Sequence, residues 1–174
     1  MHANFNIHPA TPVDAAEVST LTGELLTEIM AAIGEQAFQF DVAATTTRLN
    51  QWLTEGCYKV LLARDAFQAP AGFIALHESR ALYAGGVYGT IPECYVRPAF
   101  RSQGLGRALI DAACAHGREH CWQRLEVTTP PLPAFDPALA FYEREGFAIT
   151  GGRKLKRGLT GLAIGKFVTS WSVP

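Results

Sequence analysis

The chain predicts an α/β fold built on one mixed sheet, and three observations predict it. Strand-like runs alternate with apolar patterns at helical spacing in the order strand, two helices, three strands, helix, strand, helix, strand pair. A glycine-bearing stretch, Arg101-Ser102-Gln103-Gly104-Leu105-Gly106, stands where a strand gives way to a helix. The length, 174 residues with 48% hydrophobic, suffices for a single core and one domain spanning 1–174.

Each element has a local cause. Phe5 to His8 alternates as a first strand. Thr11 reads as an N-cap and Pro12 as the first position of a helix carrying Val18, Leu21, Leu25 and Ile29 on one side and ending at Gly34. Asp41 to Glu55 is a second helix, with Leu49, Trp52 and Leu53 on its apolar side and Gly56 as its stop. Tyr58 to Ala63 is an apolar strand, Gln68 to Ala71 a turn, Gly72 to His77 the next strand and Tyr88 to Val96 another. A helix runs from about Leu105 to Cys121, and Arg124 to Thr128 is a further strand. Thr129 to Phe135 is too proline-rich for regular structure. Asp136 and Pro137 read as N-cap and first position of a short helix ending at Gly146. Phe147 to Thr150 and Arg153 to Leu159 read as a hairpin across Gly151-Gly152. Residues 160–174 are apolar without a clear pattern.

The glycine turn carries the strongest chemical signal. Glycine lets a ligand approach the main chain, and a helix start offers unpaired N–H groups and the positive end of the helix dipole. The local chemistry predicts a phosphate-bearing ligand held mostly by backbone, with Arg101 and Arg107 as added positive charge. No Gly-x-x-x-x-Gly-Lys-Ser/Thr run exists. A dinucleotide fingerprint would need a third glycine where Leu109 stands, although Glu126 mimics its acidic residue. An ordinary tight turn capping a helix is the alternative.

Arg/Gln-x-x-Gly-x-Gly/Ala after a strand resembles the acetyl-CoA motif of the GCN5-related N-acetyltransferase (GNAT) superfamily. Downstream, Ala138-Leu139-Ala140-Phe141-Tyr142-Glu143-Arg144-Glu145-Gly146-Phe147 resembles its Ala-x-x-x-Tyr-Glu-x-x-Gly-Phe signature. The resemblance is sharp over Ile91 to Phe147. It implies a mostly antiparallel central sheet of about six to seven strands flanked by about four helices, the acyl-CoA N-acyltransferase fold. Residues 1–90 would hold the acceptor-site helices, 91–159 the acetyl-CoA and catalytic half, and 160–174 stay unplaced. Two strands would splay apart, here Tyr88 to Val96 and Arg124 to Thr128, and the pantetheine arm would bond to the exposed edge. Tyr95 and the Val96 main chain would face the pantetheine. Gln103, Gly104, Leu105, Gly106, Arg107 and Ala108 would contact the pyrophosphate, with Arg101 near the adenosine phosphate. The superfamily's asparagine seven residues before the tyrosine is Phe135 here. Asp136 beside it reads as a cap.

Acetyl transfer to an amine needs a deprotonated amine, since an alkyl amine with a pKa of about 10 is protonated at neutral pH. It also needs alignment against the thioester carbonyl, a donor for the oxyanion and a proton for the departing sulfur. Glu93, inside an apolar strand, is the candidate base. A glutamate on the solvent face, or one pairing with an arginine, is the other reading. Tyr142 is the candidate acid, against a core aromatic beside Phe141 and Phe147. Cys94 follows Glu93 and would point the other way.

The implied reaction is direct transfer of an acetyl group from acetyl-CoA to a primary amine in a ternary complex, the amine belonging to a small molecule. A protein amine, or a non-catalytic acyl-CoA sensor, are the alternatives. The acceptor site would form from the first two helices, their loop Gly34 to Phe40 and the C-terminal hairpin, with Phe38, Phe40, Trp52 and Tyr83 as candidate lining. Net charge is −1, which excludes a general attraction to nucleic acid or anionic membrane. No apolar run approaches the roughly 20 residues of a membrane span, and Met1 to Pro12 lacks a signal-peptide pattern. Cys57, Cys94, Cys114 and Cys121 lack paired metal spacing, so reduced thiols in the cytoplasm are expected. His116 and His120 share a helical face without an evident third ligand, and no metal is expected. The cluster Arg153-Lys154-Leu155-Lys156-Arg157 reads as a solvated hairpin edge. Residues 160–174 could pair with a second copy of the chain.

Overall fold

The computed structural model describes residues 4–150 and 154–155. Six strands and four helices follow in the order β1 (Asn6–Pro9), α1 (Ala15–Ile33), α2 (Val42–Glu55), β2 (Lys59–Arg64), β3 (Pro70–Ala81), β4 (Gly86–Ile91), β5 (Cys94–Val96), α3 (Leu105–Glu119), β6 (Leu125–Val127) and α4 (Asp136–Arg144). The strands form one sheet in the order β1-β2-β3-β4-β6, with β5 paired to β3. Every pairing is antiparallel except β4 with β6. The fold class is therefore the one expected, a mixed and mostly antiparallel sheet flanked by four helices.

Two apolar clusters pack on the sheet. One joins α1 and α2 to β2 and β3 through Val18, Leu21, Leu49, Val60, Leu62 and Phe73. The other joins α3 to the sheet through Leu61, Ile74, Leu76, Leu105 and Leu109, and takes in Tyr142 of α4. Alternation along β2 decides the split: Val60 and Leu62 turn to one layer, Leu61 and Ala63 to the other. Both faces are covered, so β2 and the first half of β3 read as unbroken apolar runs.

The helix ends follow local chemistry. Thr11 donates through its N–H and its hydroxyl to the Asp14 carboxylate, at 2.8 and 2.9 Å, around a short 3-10 turn, Pro12–Asp14, that leads into α1. Asp41 caps α2 by accepting from the Ala44 N–H at 2.6 Å. Gly34 and Gly56 end α1 and α2 in the left-handed region. Arg97 forks onto the Glu24 carboxylate of α1 at 2.9 and 2.7 Å and donates to the Pro70 carbonyl at 2.7 Å, tying α1 to β3 and to the end of β5.

Four expectations change. The predicted strand Tyr88 to Val96 is two strands, because a β-bulge separates β4 from β5. His77 stands opposite Thr90 and Ile74 opposite Cys94, so Ala75 and Leu76 face Ile91, Pro92 and Glu93, one residue more. Pro92 has no N–H to give to a ladder, which suits the interruption. The strand expected over Gly72 to His77 runs on at both ends, from Pro70, which stands opposite Arg64 of β2, to Ala81, because β4 pairs with its outer half. Asp136 is the first residue of α4 rather than its cap, which is Phe135. Phe147 to Thr150 is not a strand. The turn and nearly all of the second arm of that hairpin, and all of 160–174, lie outside the described residues.

The close approach of β5 to β3 depends on Gly72. A Cβ there would stand 2.5 Å from the Tyr95 carbonyl oxygen and 3.1 Å from the Val96 Cα, both backbone atoms. Gly72→Ala is expected to cost about 1–3 kcal/mol by forcing the strands apart. Urea denaturation should show a lowered midpoint with an unchanged slope.

Candidate active site

The bulge sets the direction of the chemistry-bearing side chains. Ile91 and Cys94 both face the α3 layer although two residues separate them. Glu93, between them, faces the α1 and α2 layer and lines a pocket there together with Val18, Leu26, Phe40, Leu49 and Trp52. The cavity measures about 270 Å³. Thr22, Thr45, Gln39 and Arg48 supply its polar lining, and Tyr58, Val60, Phe73 and Ala75 its sheet side.

Glu93 is half-buried and has no arginine partner among the described residues. The Tyr58 hydroxyl donates to its Oε2. Burial lifts the Glu93 carboxyl above its ordinary range, while the Tyr58 hydrogen bond and the charge of His77 pull it back down. The Tyr58 hydroxyl is held far above the usual phenol range by burial, then by the Glu93 charge and hydrogen bond. It therefore stays protonated and remains a donor. The Tyr58 ring stacks on His77 with centroids 6.4 Å apart.

Across the strand, Tyr142 is buried in the α3 layer between Phe141 and Phe147, with ring centroids 5.2 and 5.4 Å away. Its hydroxyl is a hydrogen-bonding neighbour of the Cys94 thiol. Burial first, and Cys94 second, raise the Tyr142 hydroxyl well above the phenol range. Burial also pushes the Cys94 thiol up to about 12, so it is a neutral group at physiological pH. Glu93 and Cys94 do point to opposite layers, as strand alternation requires.

The edge of β5 away from β3 has no strand partner among the described residues. The Ala75 N–H donates to the Glu93 carbonyl and the Arg97 N–H to the Ala71 carbonyl, at 2.8 and 3.0 Å. Residues 93, 95 and 97 thus turn their main chain to β3, and Cys94 and Val96 turn theirs to the open edge. β6 pairs with β4 at Gly89, Thr90 and Ile91 but not with β5, so the two strands part at the bulge. The Val96 carbonyl accepts from Arg101 Nε at 2.9 Å. Tyr95 is buried toward α1 and α2, under the Arg101 guanidinium at 5.7 Å.

The glycine turn follows. Ser102 and Gly104 take positive φ, and Gly104 is the N-cap of α3. The first helical bond runs from the Ala108 N–H to the Gly104 carbonyl at 3.0 Å, so the N–H groups of Leu105, Gly106 and Arg107 have no intrahelical acceptor. These free donors fit an anionic phosphate. The side chains behave differently from one another. Leu105 is core, Gln103 donates to the Ala99 carbonyl at 2.8 Å, and Arg107 is exposed near Asp111 and Glu145 at 3.9 and 3.8 Å. Arg101 is committed to Glu28 of α1 at 2.6 Å and to Val96, so its charge is spent on the sheet side of the turn. At Gly106 a Cβ would stand 3.1 Å from the Phe141 ring.

Of the expected acceptor lining, Phe40 and Trp52 face the pocket, whereas Phe38 does not line it and Tyr83 is exposed against Arg124. Tyr58 and Arg48 were missing from the sequence reading. Alternation with Val60 and Leu62 places Tyr58 on the α1 and α2 side, but no spacing pairs it with a residue 35 positions away. The histidines have a third neighbour after all: His116, Glu119 and His120 carry donor atoms within 4.8 Å of one another. They lie at the end of α3 beside a second cavity of about 520 Å³, which shares Tyr58 with the first.

Known proteins can now be set beside this geometry. The family model described as "Acetyltransferase (GNAT) family" matches residues 26–147. No curated protein matches the chain. Among solved structures, a ribosomal-protein-alanine N-acetyltransferase from Brucella melitensis biovar Abortus 2308 is 19% identical with a TM-score of 0.68, over 89% of this chain and 100% of that one. An aminoglycoside acetyltransferase, meta-AAC0020, from an uncultured soil metagenomic sample and bound to sisomicin, is 17% identical with a TM-score of 0.71, over 90% and 97%. A "predicted acetyltransferase" from Clostridium acetobutylicum, solved with acetyl-CoA, is 17% identical with a TM-score of 0.69, over 90% and 97%. These likenesses agree with the sheet and helix order, and the family match covers the parted strands, the glycine turn and the Tyr142 helix alike. The chain belongs to the GNAT family of acetyltransferases.

Proposed function

We propose that the protein moves an acetyl group from acetyl-CoA to the primary amine of a small molecule, by direct transfer in a ternary complex. The observation that carries this reading is the placement of Glu93: a raised carboxyl in the wall of an apolar pocket, immediately before the strand whose free edge lies beside the glycine turn. The N–H groups of residues 105–107 would hold the pyrophosphate, and the main chain of Cys94 and Val96 the pantetheine arm. Acetyl-CoA supplies the activated acyl carbon when bound. Glu93 takes the proton from the acceptor amine, directly or through water, and the Tyr58 hydrogen bond holds its carboxylate in place. Tyr142, protonated throughout the physiological range, donates to the departing sulfur. The exposed thiols of Cys57 and Cys121 fit a reducing compartment, and we place the protein in the cytoplasm. Among the described residues no helix is long and apolar enough to cross a membrane.

Calorimetric titration with acetyl-CoA, with NAD and ATP as controls, tests the first half of the proposal. Micromolar binding of acetyl-CoA alone is expected. Thiol release in the presence of amines tests the second. Tyr142→Phe should lower kcat by about a hundredfold while acetyl-CoA affinity stays, as expected for a lost acid. Equal acetyl-CoA binding with undiminished turnover would remove Tyr142 from the chemistry.

Glu93 also has a stability signature. Its carboxyl titrates above its unfolded value in the folded protein, so the native state binds the proton more tightly and loses stability as pH rises from the unfolded pKa through the folded one. Glu93→Gln should therefore raise the melting temperature at pH 7.5. Below about pH 4, where the carboxyl is protonated in both states, the gain should vanish. Parallel melting curves of the two proteins across this range would check it.

A further inference from the structure

We infer that the acceptor is a compact amine that also carries a carboxylate on an apolar body, of which a free amino acid is the simplest example. The inference rests on the acetyl-transfer reading and adds the acceptor's chemistry to it.

The pocket beside Glu93 has two charged residues in its lining among the described residues, and they have opposite sign. Glu93 belongs to the sheet wall and Arg48 to the helix wall. Arg48 is exposed and has no carboxylate within ion-pair distance among the described residues. Its recorded neighbour is the Trp52 ring, one helical turn on, with the guanidinium 6.0 Å from the centroid. Thr45, one turn before, and Gln39 add neutral hydrogen-bonding groups on the same side. Between the two charges the lining is apolar and aromatic, with Leu26, Phe40, Leu49, Trp52 and Phe73.

An occupant that satisfies both charges needs an amine for Glu93, an anion for Arg48 and an apolar middle. A guanidinium fork matches a carboxylate in two parallel hydrogen bonds. At about 270 Å³ the cavity falls just below the roughly 300–1,000 Å³ typical of drug-sized ligands, which favours a small acceptor. A polycationic acceptor such as the sisomicin bound by meta-AAC0020 would need several carboxylates. Here it would meet one carboxylate and a guanidinium that repels it.

Matched pairs of amines test the inference on the full chain at saturating acetyl-CoA, with thiol release as the readout. L-phenylalanine is compared with 2-phenylethylamine, L-leucine with 3-methylbutylamine, and sisomicin is run beside them. The carboxylated member of each pair should have the higher kcat/KM, by about tenfold or more, the effect of one charge-assisted hydrogen bond. Sisomicin should be the poorest acceptor. Arg48→Ala should collapse the preference ratio toward one, chiefly through KM of the carboxylated amine, Arg48→Lys should keep part of it and Arg48→Glu should invert it. A general folding defect would lower both members together and leave the ratio untouched. Preference for the decarboxylated amines or for sisomicin overturns the inference and leaves acetyl transfer standing, as does a ratio indifferent to Arg48. Failure of every amine to release thiol overturns the acetyl-transfer reading and this one with it.

Discussion

One extra residue in the sheet governs the rest of the molecule. At Pro92 and Glu93 the strand that pairs with β3 carries one residue more than its partner, and the side chains beyond it change layer as a result. Without the bulge, Glu93 and Cys94 would exchange faces, and the carboxyl would be buried against α3 rather than in the pocket under α1 and α2. The same offset ends the pairing with β6 after Ile91 and leaves the outward main chain of Cys94 and Val96 without a strand partner among the described residues, the Val96 carbonyl being taken by Arg101. A carboxyl in a pocket and a strand edge without a strand partner among the described residues are two effects of one insertion.

The bulge also divides the two groups proposed to move protons. Glu93 and Tyr142 belong to different layers, separated by the thickness of a strand. Both are shifted upward chiefly by burial, yet burial does opposite things for the two proposed tasks. It makes Glu93 a stronger base than an exposed carboxylate. It makes Tyr142 a weaker acid but guarantees that the proton is present. Tyr58 tempers the first effect, because its hydrogen bond favours the charged carboxylate, the form that would receive a proton in the proposed reaction.

Much of the fold was legible in the sequence because it rests on local causes. Alternation in β2, the left-handed glycines at 34 and 56, and the change from strand to helix at Gly104 are all set within a few residues. The two family motifs were legible for the same reason, as each is a short contiguous stretch. What was not legible depends on distant partners. No local signal brings Tyr58 to Glu93 or turns Arg101 back onto Glu28. The bulge was missed because Tyr88 to Val96 reads as a continuous apolar run, and an extra residue shows only against the register of β3. Pro92 was the one local hint. The missing asparagine has a visible counterpart: Phe135 caps α4 without any side-chain hydrogen bond.

The glycine of the turn that lies inside α3 has a second master. A methyl group at Gly106 would press on the ring of Phe141, and Phe141 is the neighbour in sequence of Tyr142. The residue proposed to let a phosphate approach thus also sets how closely the last helix seats on the third. Damage at this position would not respect the boundary between binding and chemistry. On the proposed roles, a kineticist would see a cofactor defect and an acid defect arise together from a single atom, with α4 as the lever that joins them.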